Sequence, residues 1–263
     1  MELSSGTIGA IAAAIGVPIV FALLRKVKSL RHVPDATKDF GQLQKEYGKW
    51  EVAATCLFIF FATLIGFALW QSLVLLAELL ASRLGHNVFL ILQPGVALAL
   101  PSIFLAIFLA GIPLHFLYLR LLGPERYAQY IEYGNQKLGV NSWKLLRHMA
   151  YVIVPLCVIF TALTLDSYVR ITESKIGINP FFGIGEKEYS FEDVRNLKLV
   201  KSFKAPNGNI VYRPYFVISF ADGTEFNFHK TLFDTNIKEQ ERIAVFISHK
   251  SNRTIQVDDP YPR

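Results

Sequence analysis

The sequence predicts an α-helical membrane domain of four transmembrane helices, followed by a C-terminal antiparallel β-barrel with one capping helix. Two observations predict this fold class: four apolar runs free of charged residues, and a change after Asp166 to short runs of alternating apolar and polar residues. The chain is 52% hydrophobic and only 18% charged, whereas globular chains have roughly 45–50% apolar and about 25% charged residues. This composition excludes an ordinary soluble domain.

The four charge-free runs define the membrane domain, which we place at residues 1–169. About 20 helical residues cross a hydrocarbon core of about 30 Å, and each run is close to or above that length. The runs are Thr7–Leu24, Val52–Ala77, Asn87–Leu119 and Met149–Leu165.

Three prolines lie in the third run, at positions 94, 101 and 113. Proline removes a backbone donor and kinks or interrupts a helix. We therefore expect the span proper at Val96–Arg120, with Val88–Pro94 an interfacial segment that leads into it. Whether the run makes one pass or forms a broken helix stays open.

Basic connectors at residues 25–50 and 121–148 predict the orientation in the membrane. The first contains 7 Lys or Arg residues, and the second together with the adjacent Arg120 contains 5, whereas the turn between the second and third spans contains only Arg83. The positive-inside rule places both connectors in the cytoplasm. With four spans, the C-terminal domain is then non-cytoplasmic, and the predicted location is a bacterial cytoplasmic (inner) membrane.

The net charge of +6 does not indicate a nucleic-acid-binding protein. From Arg170 onward the chain has 14 basic and 12 acidic residues, so the predicted β domain is nearly neutral. Nucleic-acid modules concentrate basic residues in a stripe with motif support. We expect no nucleic-acid partner.

The chemistry-bearing residues form no pattern typical of an enzyme. Cys56 and Cys157 both lie in apolar spans, and the histidines do not have metal-ligand spacing. Gly183-Ile184-Gly185 has no following helix, so a flexible hairpin is favoured over a dinucleotide site. We predict no catalytic residue, no metal and no cofactor, and hence no enzyme.

Short strands and one helix are predicted from Tyr168 onward. Val169–Thr172 and Lys175–Ile178 form a hairpin, Glu186–Tyr189 a third strand, and Asn207-Gly208 the turn of a further hairpin. Asn236–His249 has an apolar stripe typical of an amphipathic helix, with Asp234 or Thr235 as its N-cap.

The segments Tyr168–Thr172, Lys175–Ile178 and Tyr189–Val194 resemble the opening of bacterial PH-like (pleckstrin-homology-like) domains. In bacterial multi-span membrane proteins of uncharacterised function, such a domain follows a few transmembrane helices. The resemblance implies a bent antiparallel barrel with one end plugged by a C-terminal helix, at residues 170–257, followed by a tail at 258–263. PH-type modules are commonly cytoplasmic, so the resemblance and the charge count favour opposite sides.

Two groups of residues are candidate sites. Four cations surround the Asn207-Gly208 hairpin and are candidate contacts for an anionic headgroup or a partner, although a solvated surface is favoured over such a site; they are Lys198, Lys201, Lys204 and Arg213. In the membrane domain, we favour ion pairs of Glu78 and Asp166 with nearby arginines over a transport site. For His115, packing or a bond to backbone freed by Pro113 is favoured over proton relay.

These observations favour a membrane anchor or scaffold that presents a PH-like binding domain. Its partners would be the lipid bilayer and a protein, a peptide or an anionic lipid headgroup, within a homo-oligomer or larger complex. The alternative is a transporter or pore-type membrane effector, with the β domain as its ligand sensor.

Overall fold

The structure, a computed structural model, describes residues 30, 39–84, 88–183, 185–205, 208–231, 233 and 235–260. The described residues divide into two compact units. One contains the residues up to Phe67 together with Ile103–Cys157, and the other contains Ala68–Ser102 together with the residues from Val158 onward. The first predicted span, Thr7–Leu24, lies outside the described residues.

Within the described residues, three helices are long and apolar enough to cross a membrane. They are α1 (Phe40–Ala81), α2 (Ala99–Leu138, preceded by the 3-10 turn Val96–Leu98) and α3 (Ser142–Asp166). They match the second, third and fourth predicted spans. Large apolar side chains such as Phe60, Ile103 and Leu156 lie exposed on them, as expected of surfaces that face lipid or other helices.

Helix α2 changes direction at Gly123. This residue has φ 75° and ψ 165°, a conformation that only glycine adopts without strain, and Pro124 then starts a second helical segment. The connector predicted as a surface-lying segment is therefore helical as far as Leu138. Its second segment is bonded to α1, because the Lys137 ammonium and the Tyr133 hydroxyl both donate to Glu51, with Lys137 Nζ 2.6 Å from Glu51 Oε1 and Tyr133 Oη 3.0 Å from Glu51 Oε2.

In the described part of the chain, ten strands and one helix form the C-terminal sheet region. The first sheet has the order β1-β2-β3-β4, the second has the order β10-β5-β8-β9, and β6 and β7 form a two-stranded ribbon. The strands are β1 (Val88–Leu92), β2 (Tyr168–Thr172), β3 (Lys175–Asn179), β4 (Lys187–Ser190), β5 (Val194–Val200), β6 (Phe203–Lys204), β7 (Ile210–Val211), β8 (Tyr215–Phe220), β9 (Glu225–Asn227) and β10 (Ile255–Asp258).

Strand β1 lies between two membrane helices in the chain, yet it belongs to the first sheet. It pairs antiparallel with β2, with Leu90 opposite Ile171 and Leu92 opposite Val169. Leu92 is buried in the same apolar core as the residues of β2 and β3. The segment predicted as an interfacial lead-in is therefore a strand, because β2 supplies the backbone partners that its apolar run lacks locally.

The second sheet contains one strand, β10, that was not predicted. Strand β8 pairs antiparallel with both β5 and β9, and Gly223, at φ 82°, turns the chain between β8 and β9. Strand β10 pairs parallel with β5, so the region is not wholly antiparallel. Among the described residues the two sheets do not close into a barrel, since no pairing joins β4 to β9.

Helix α4 (Ile237–Ser251) packs on the core of the sheet region with the predicted stripe, burying Ile243, Ala244 and Ile247. Its N-cap is Asn236, whose side-chain oxygen accepts a hydrogen bond from Glu239 N at 3.0 Å. The prediction of Asp234 or Thr235 as the cap was one or two residues early. Asn236 acts as the cap because its side-chain oxygen accepts from one of the free N–H groups of the first turn.

Candidate functional site

One candidate site is a cleft between strands of the two sheets. It has a volume of about 440 Å³, within the range of about 300–1,000 Å³ that is typical of small-molecule sites. We call it the inter-sheet cleft. Its walls come from β3 and β4 on one side and from β9 and the following loop on the other, and they include Ile178, Pro180, Phe181, Lys187, Tyr189, Phe226, Lys230, Thr231 and Phe233.

Tyr189 and Asp222 join the two sheets beside the cleft. The Tyr189 ring stacks on Phe220 with centroids 3.9 Å apart, and its hydroxyl donates to Asp222 Oδ2 at 3.2 Å. The backbone N–H and hydroxyl of Thr224 also donate to Asp222, and these bonds hold the pKa of that carboxyl below its usual range. Asp222 therefore remains a hydrogen-bond acceptor over the whole neutral pH range. Its bond to Tyr189 holds the two sheets together beside the cleft.

The opposite end of the cleft lies beside α3. Ser167, which directly follows the last residue of α3, lines the cleft, as does Phe181 in the β3–β4 loop. The Phe181 ring lies 5.1 Å from that of Phe160 in α3 and 4.6 Å from that of Phe182. The Phe182 side chain is 85% exposed. The β3–β4 loop therefore presents an aromatic tip along the side of a membrane helix.

Lysines dominate the charged lining of the cleft. Lys187 and Lys230 are both exposed residues of its wall, and Glu225 is the one acid among the described lining residues. The only carboxylate within ion-pairing distance of Lys187 in the described chain is Asp222, and that contact is long, at 3.8 Å. Glu225 accepts a hydrogen bond from Ser219, with the two oxygens 3.3 Å apart. The cleft thus combines apolar walls with a weakly paired positive rim.

A charged ladder crosses the outer face of the first sheet. The Arg170 guanidinium donates to Glu186 Oε1 at 2.8 Å and to Glu188 Oε1 at 3.1 Å. The Lys175 ammonium donates to Glu188 Oε2 at 2.7 Å and lowers the pKa of Glu188. Burial, together with a hydroxyl donated to Glu186, raises the pKa of Tyr168 to about 12. These bonds fix the start of β4, which forms a wall of the cleft.

The four predicted cations do not form one site among the described residues. Lys201 lines a second groove of about 490 Å³, and the acids Glu241 and Asp259 line the same groove. Lys204 and Arg213 are exposed, and Lys198 is half-buried in β5. Asn207 of the predicted turn lies outside the described residues, while Gly208 has the positive φ, 88°, that such a turn requires. The mixed charge of the groove weakens the case for a purely anionic ligand there.

The predicted polar residues of the membrane domain have separate surroundings. His115 Nδ1 lies 2.7 Å from the Tyr127 hydroxyl, and the Trp143 ring is 5.3 Å from the imidazole. Its partner is thus a side chain and not the backbone freed by Pro113. The Asp166 carbonyl accepts a hydrogen bond from Asn179 Nδ2 at 2.7 Å.

Glu78 is exposed near the end of α1, and the structure gives it no ion pair with Arg83 among the described residues. Arg170, the cation nearest to Asp166 in sequence, forms its described ion pairs with Glu186 and Glu188. The ion pairs favoured from sequence for the two acids are therefore not among those that the structure describes.

Sequence reasoning did not find the inter-sheet cleft. Its walls come from β3, β4 and β9, and β9 is distant from the other two strands in the sequence. The sequence signal near the cleft is Phe181-Phe182 before a glycine-rich loop, a pattern that indicates an exposed aromatic tip. In the described ranges, no cluster of three or more His, Cys, Asp or Glu residues could hold a metal ion. No family model matches the chain, and neither the curated proteins nor the solved structures include a match.

Proposed function

We propose that this protein is an integral membrane anchor that presents a PH-like binding domain to a protein, peptide or lipid-headgroup partner. The observation that carries the proposal is strand β1. Because the loop between two membrane helices supplies an edge strand of the sheet region, that region is attached to the membrane part at two points of the chain. Such attachment suits a binding domain held close to the bilayer rather than one on a flexible tether.

The PH-like assignment is supported by the order of elements. Strands β2, β3 and β4 precede a 3-10 turn, the second sheet follows, and an amphipathic helix packs on the common core. Strands followed by a helix are what the resemblance implies, although β10 comes after the helix and pairs parallel with β5. The separation between β4 and β9 opens the fold on one side, and this opening is the inter-sheet cleft.

We place the protein in a bacterial cytoplasmic membrane with four spans and a non-cytoplasmic C-terminal domain. The count of basic residues in the connectors supports this orientation. Pairing of β1 with β2 supports the number of crossings but not their orientation, because both strands must lie on one side, and two crossings by α2 and α3 meet that requirement. The Pro-containing third run then makes one pass.

We further propose that the protein works within a homo-oligomer or larger complex. Only 11% of the most apolar window of α1, and the same share of that of α3, is buried within the chain. Lipid alone would satisfy these apolar faces, but they also offer surface to helices of another subunit.

Site-specific photo-crosslinking in native membranes tests the proposal. A photoreactive amino acid is placed at Arg213 beside the basic hairpin, at Thr231 in the cleft wall, and at exposed Ser174 as a position outside both sites. We expect a discrete adduct at one of the first two positions, identified by mass spectrometry and reproduced with the purified partner or lipid. Adducts at none of them above the level at Ser174 would contradict a binding domain.

A flux assay with the purified full chain in vesicles separates the anchor from the transporter alternative. An anchor gives no solute or proton movement above protein-free vesicles, and substitution His115→Ala leaves partner adducts unchanged. Movement that is lost in His115→Ala would instead establish a transporter with the β domain as sensor.

A further inference from the structure

The inter-sheet cleft lies beside the C-terminal end of α3. Ser167 in its lining directly follows α3, and Phe181 contacts Phe160, six residues before the end of that helix. Six helical residues correspond to about 9 Å along the axis. Phe160 belongs to the charge-free run Met149–Leu165, so Phe181 reaches the depth of apolar residues that cross the membrane.

The neighbouring Phe182 marks the route between the bilayer and the cleft. Its ring is 85% exposed, and it contacts Phe181, which is itself part of the cleft wall. Exposed apolar surface costs about 25 cal/mol per Å² in water, and aromatic residues favour the membrane interface. A lipid chain beside Phe182 is therefore one side chain away from the cleft.

The chemistry of the lining matches an amphipathic anion. Ile178, Phe226 and Phe233 provide apolar wall, whereas Lys187 and Lys230 place two ammonium groups at the rim. Lys230 has no ion pair within the described residues, and Lys187 has only the long contact to Asp222. Lysine binds phosphate as a point charge, so a pair of lysines suits a phosphodiester.

We propose that the inter-sheet cleft binds one anionic phospholipid drawn from the adjacent leaflet. Its phosphate lies between Lys187 and Lys230, and the first part of an acyl chain lies against Phe181 and Phe226. This inference rests on the proposed function and specifies its ligand and its site. A peptide strand added to β4 or β9 would use the same opening. It would leave the exposed Phe182 and the two lysines of the rim without a role.

The test uses the full chain in phosphatidylethanolamine vesicles that contain phosphatidylglycerol with a photoreactive group in the acyl chain. After irradiation, adducts are counted by mass spectrometry on Phe226 and Thr231, which lie in the cleft wall, and on Phe182, which is exposed outside that lining. We expect adducts on all three residues. Glycerol phosphate at millimolar concentration should leave them unchanged, because the acyl chain contributes to binding.

Matched variants separate the cleft from the basic hairpin. The double substitution Lys187→Gln, Lys230→Gln should lower the cleft adducts at least fivefold, whereas Lys198→Gln, Lys204→Gln removes the same charge elsewhere and should leave them intact. Thr231→Trp fills the cleft without removing a charge, and it should abolish adducts on Phe226 while adducts on Phe182 persist. Thermal unfolding of each variant establishes that the domain is folded.

Three outcomes overturn the inference. They are adducts confined to Phe182, equal cleft labelling by a phosphatidylcholine probe, and labelling that is lost only in the hairpin double variant. Each of these leaves the proposed function standing if Arg213 or Thr231 crosslinks to a protein partner. Solute flux through the protein would overturn the proposed function itself, whatever the lipid adducts show.

Discussion

Gly177 leaves room for the charged ladder of the first sheet because it has no side chain. A Cβ atom at this position would lie 1.6 Å from Glu186 Oε1, the oxygen that accepts from Arg170. The Arg170 and Glu186 side chains are only 22% and 19% exposed, so water replaces their bond poorly. Glycine in the middle of β3 is thus required by the charged ladder that lies over it.

We predict that Gly177→Ala destabilises the sheet region by about 1–3 kcal/mol, the cost of losing a charged hydrogen bond in a partly buried site. Thermal unfolding of the purified protein measures the effect. Gly48→Ala is the control, since a Cβ there contacts nothing within 4 Å. If Gly177→Ala costs as much in a Glu186→Ala background as in the native chain, the steric explanation is wrong.

Tyr168 links stability to alkaline pH. Burial and its bond to Glu186 raise the pKa of Tyr168 to about 12 from its ordinary value of 10.0. The folded state therefore holds the proton more tightly than the unfolded state, and the resulting stability is complete below pH 10. It is lost progressively as the pH rises from about 10 to about 12.

We expect the free energy of unfolding to fall between pH 10 and pH 12 and Tyr168→Phe to reduce that slope. Denaturant titrations at several pH values measure the slope, and absorbance of tyrosinate reports the ionisation directly. An unchanged alkaline slope in Tyr168→Phe would show that other groups cause the loss.

At the scale of elements, β1 contributes a core residue from a loop between membrane helices. Leu92 is 5% exposed and packs in the core of the sheet region, whereas Val96, four residues later, is 53% exposed. The sequence prediction places Leu92 in an interfacial segment and Val96 at the start of the span, and so gives Leu92 no part in the core of the sheet region. The structure gives them different energetic roles.

Leu92→Ala should destabilise the C-terminal sheet region by about 2–5 kcal/mol, as expected for a buried leucine. Val96→Ala, the matched control, should cost little. The measurement is the rate of limited proteolysis of the sheet region in the full chain. Cleavage in α3 and in the loops before β2 is recorded separately. Equal proteolysis of the two variants would contradict the pairing of β1 with β2.

Local elements were accessible from the sequence because their determinants are local. The alternation of Val169 and Ile171 predicted β2, and the structure confirms this strand. Strands β1 and β10 were missed because their partners are distant: β1 pairs with a strand that follows two membrane helices, and β10 pairs parallel to β5 across α4. Nothing in a single-residue pattern specifies such pairing.

The candidate sites also divide into features with local determinants, which the sequence predicted, and features formed by distant segments, which it did not. Lys198, Lys201, Lys204 and Arg213 were found because they are close in sequence, but the structure places only Lys201 in a groove. The inter-sheet cleft depends on which strand edges remain unpaired, and this is a property of the assembled sheets.

At the scale of the whole molecule, the membrane topology is defined by the side of the membrane on which each connector lies. The basic connectors predict one side for residues 121–148, and the pairing of β1 with β2 requires one common side for the turn after α1 and for the sheet region. These two statements can be tested in one experiment.

Single cysteines are introduced at exposed positions after replacing Cys56 and Cys157 with alanine. We expect Ser82→Cys and Ser174→Cys to react with an impermeant maleimide in intact cells, and Lys144→Cys to react only after the membrane is opened. Labelling of positions 82 and 174 from different sides would refute the β1–β2 pairing. Labelling of all three in the reverse sense would keep the pairing and move the sheet region to the cytoplasm.

Strand β1 also imposes an order on biogenesis. During synthesis it emerges before its partner β2, and the two can meet only after α2 and α3 have entered the membrane and returned the chain to the same side. Until then Leu92 and the free edge of β1 lack their native contacts, and unpaired edges favour association with other chains. Completion of the sheet thus requires that both helices have been inserted. A chain whose α2 or α3 fails to insert would expose an aggregation-prone strand that quality-control proteases can recognise.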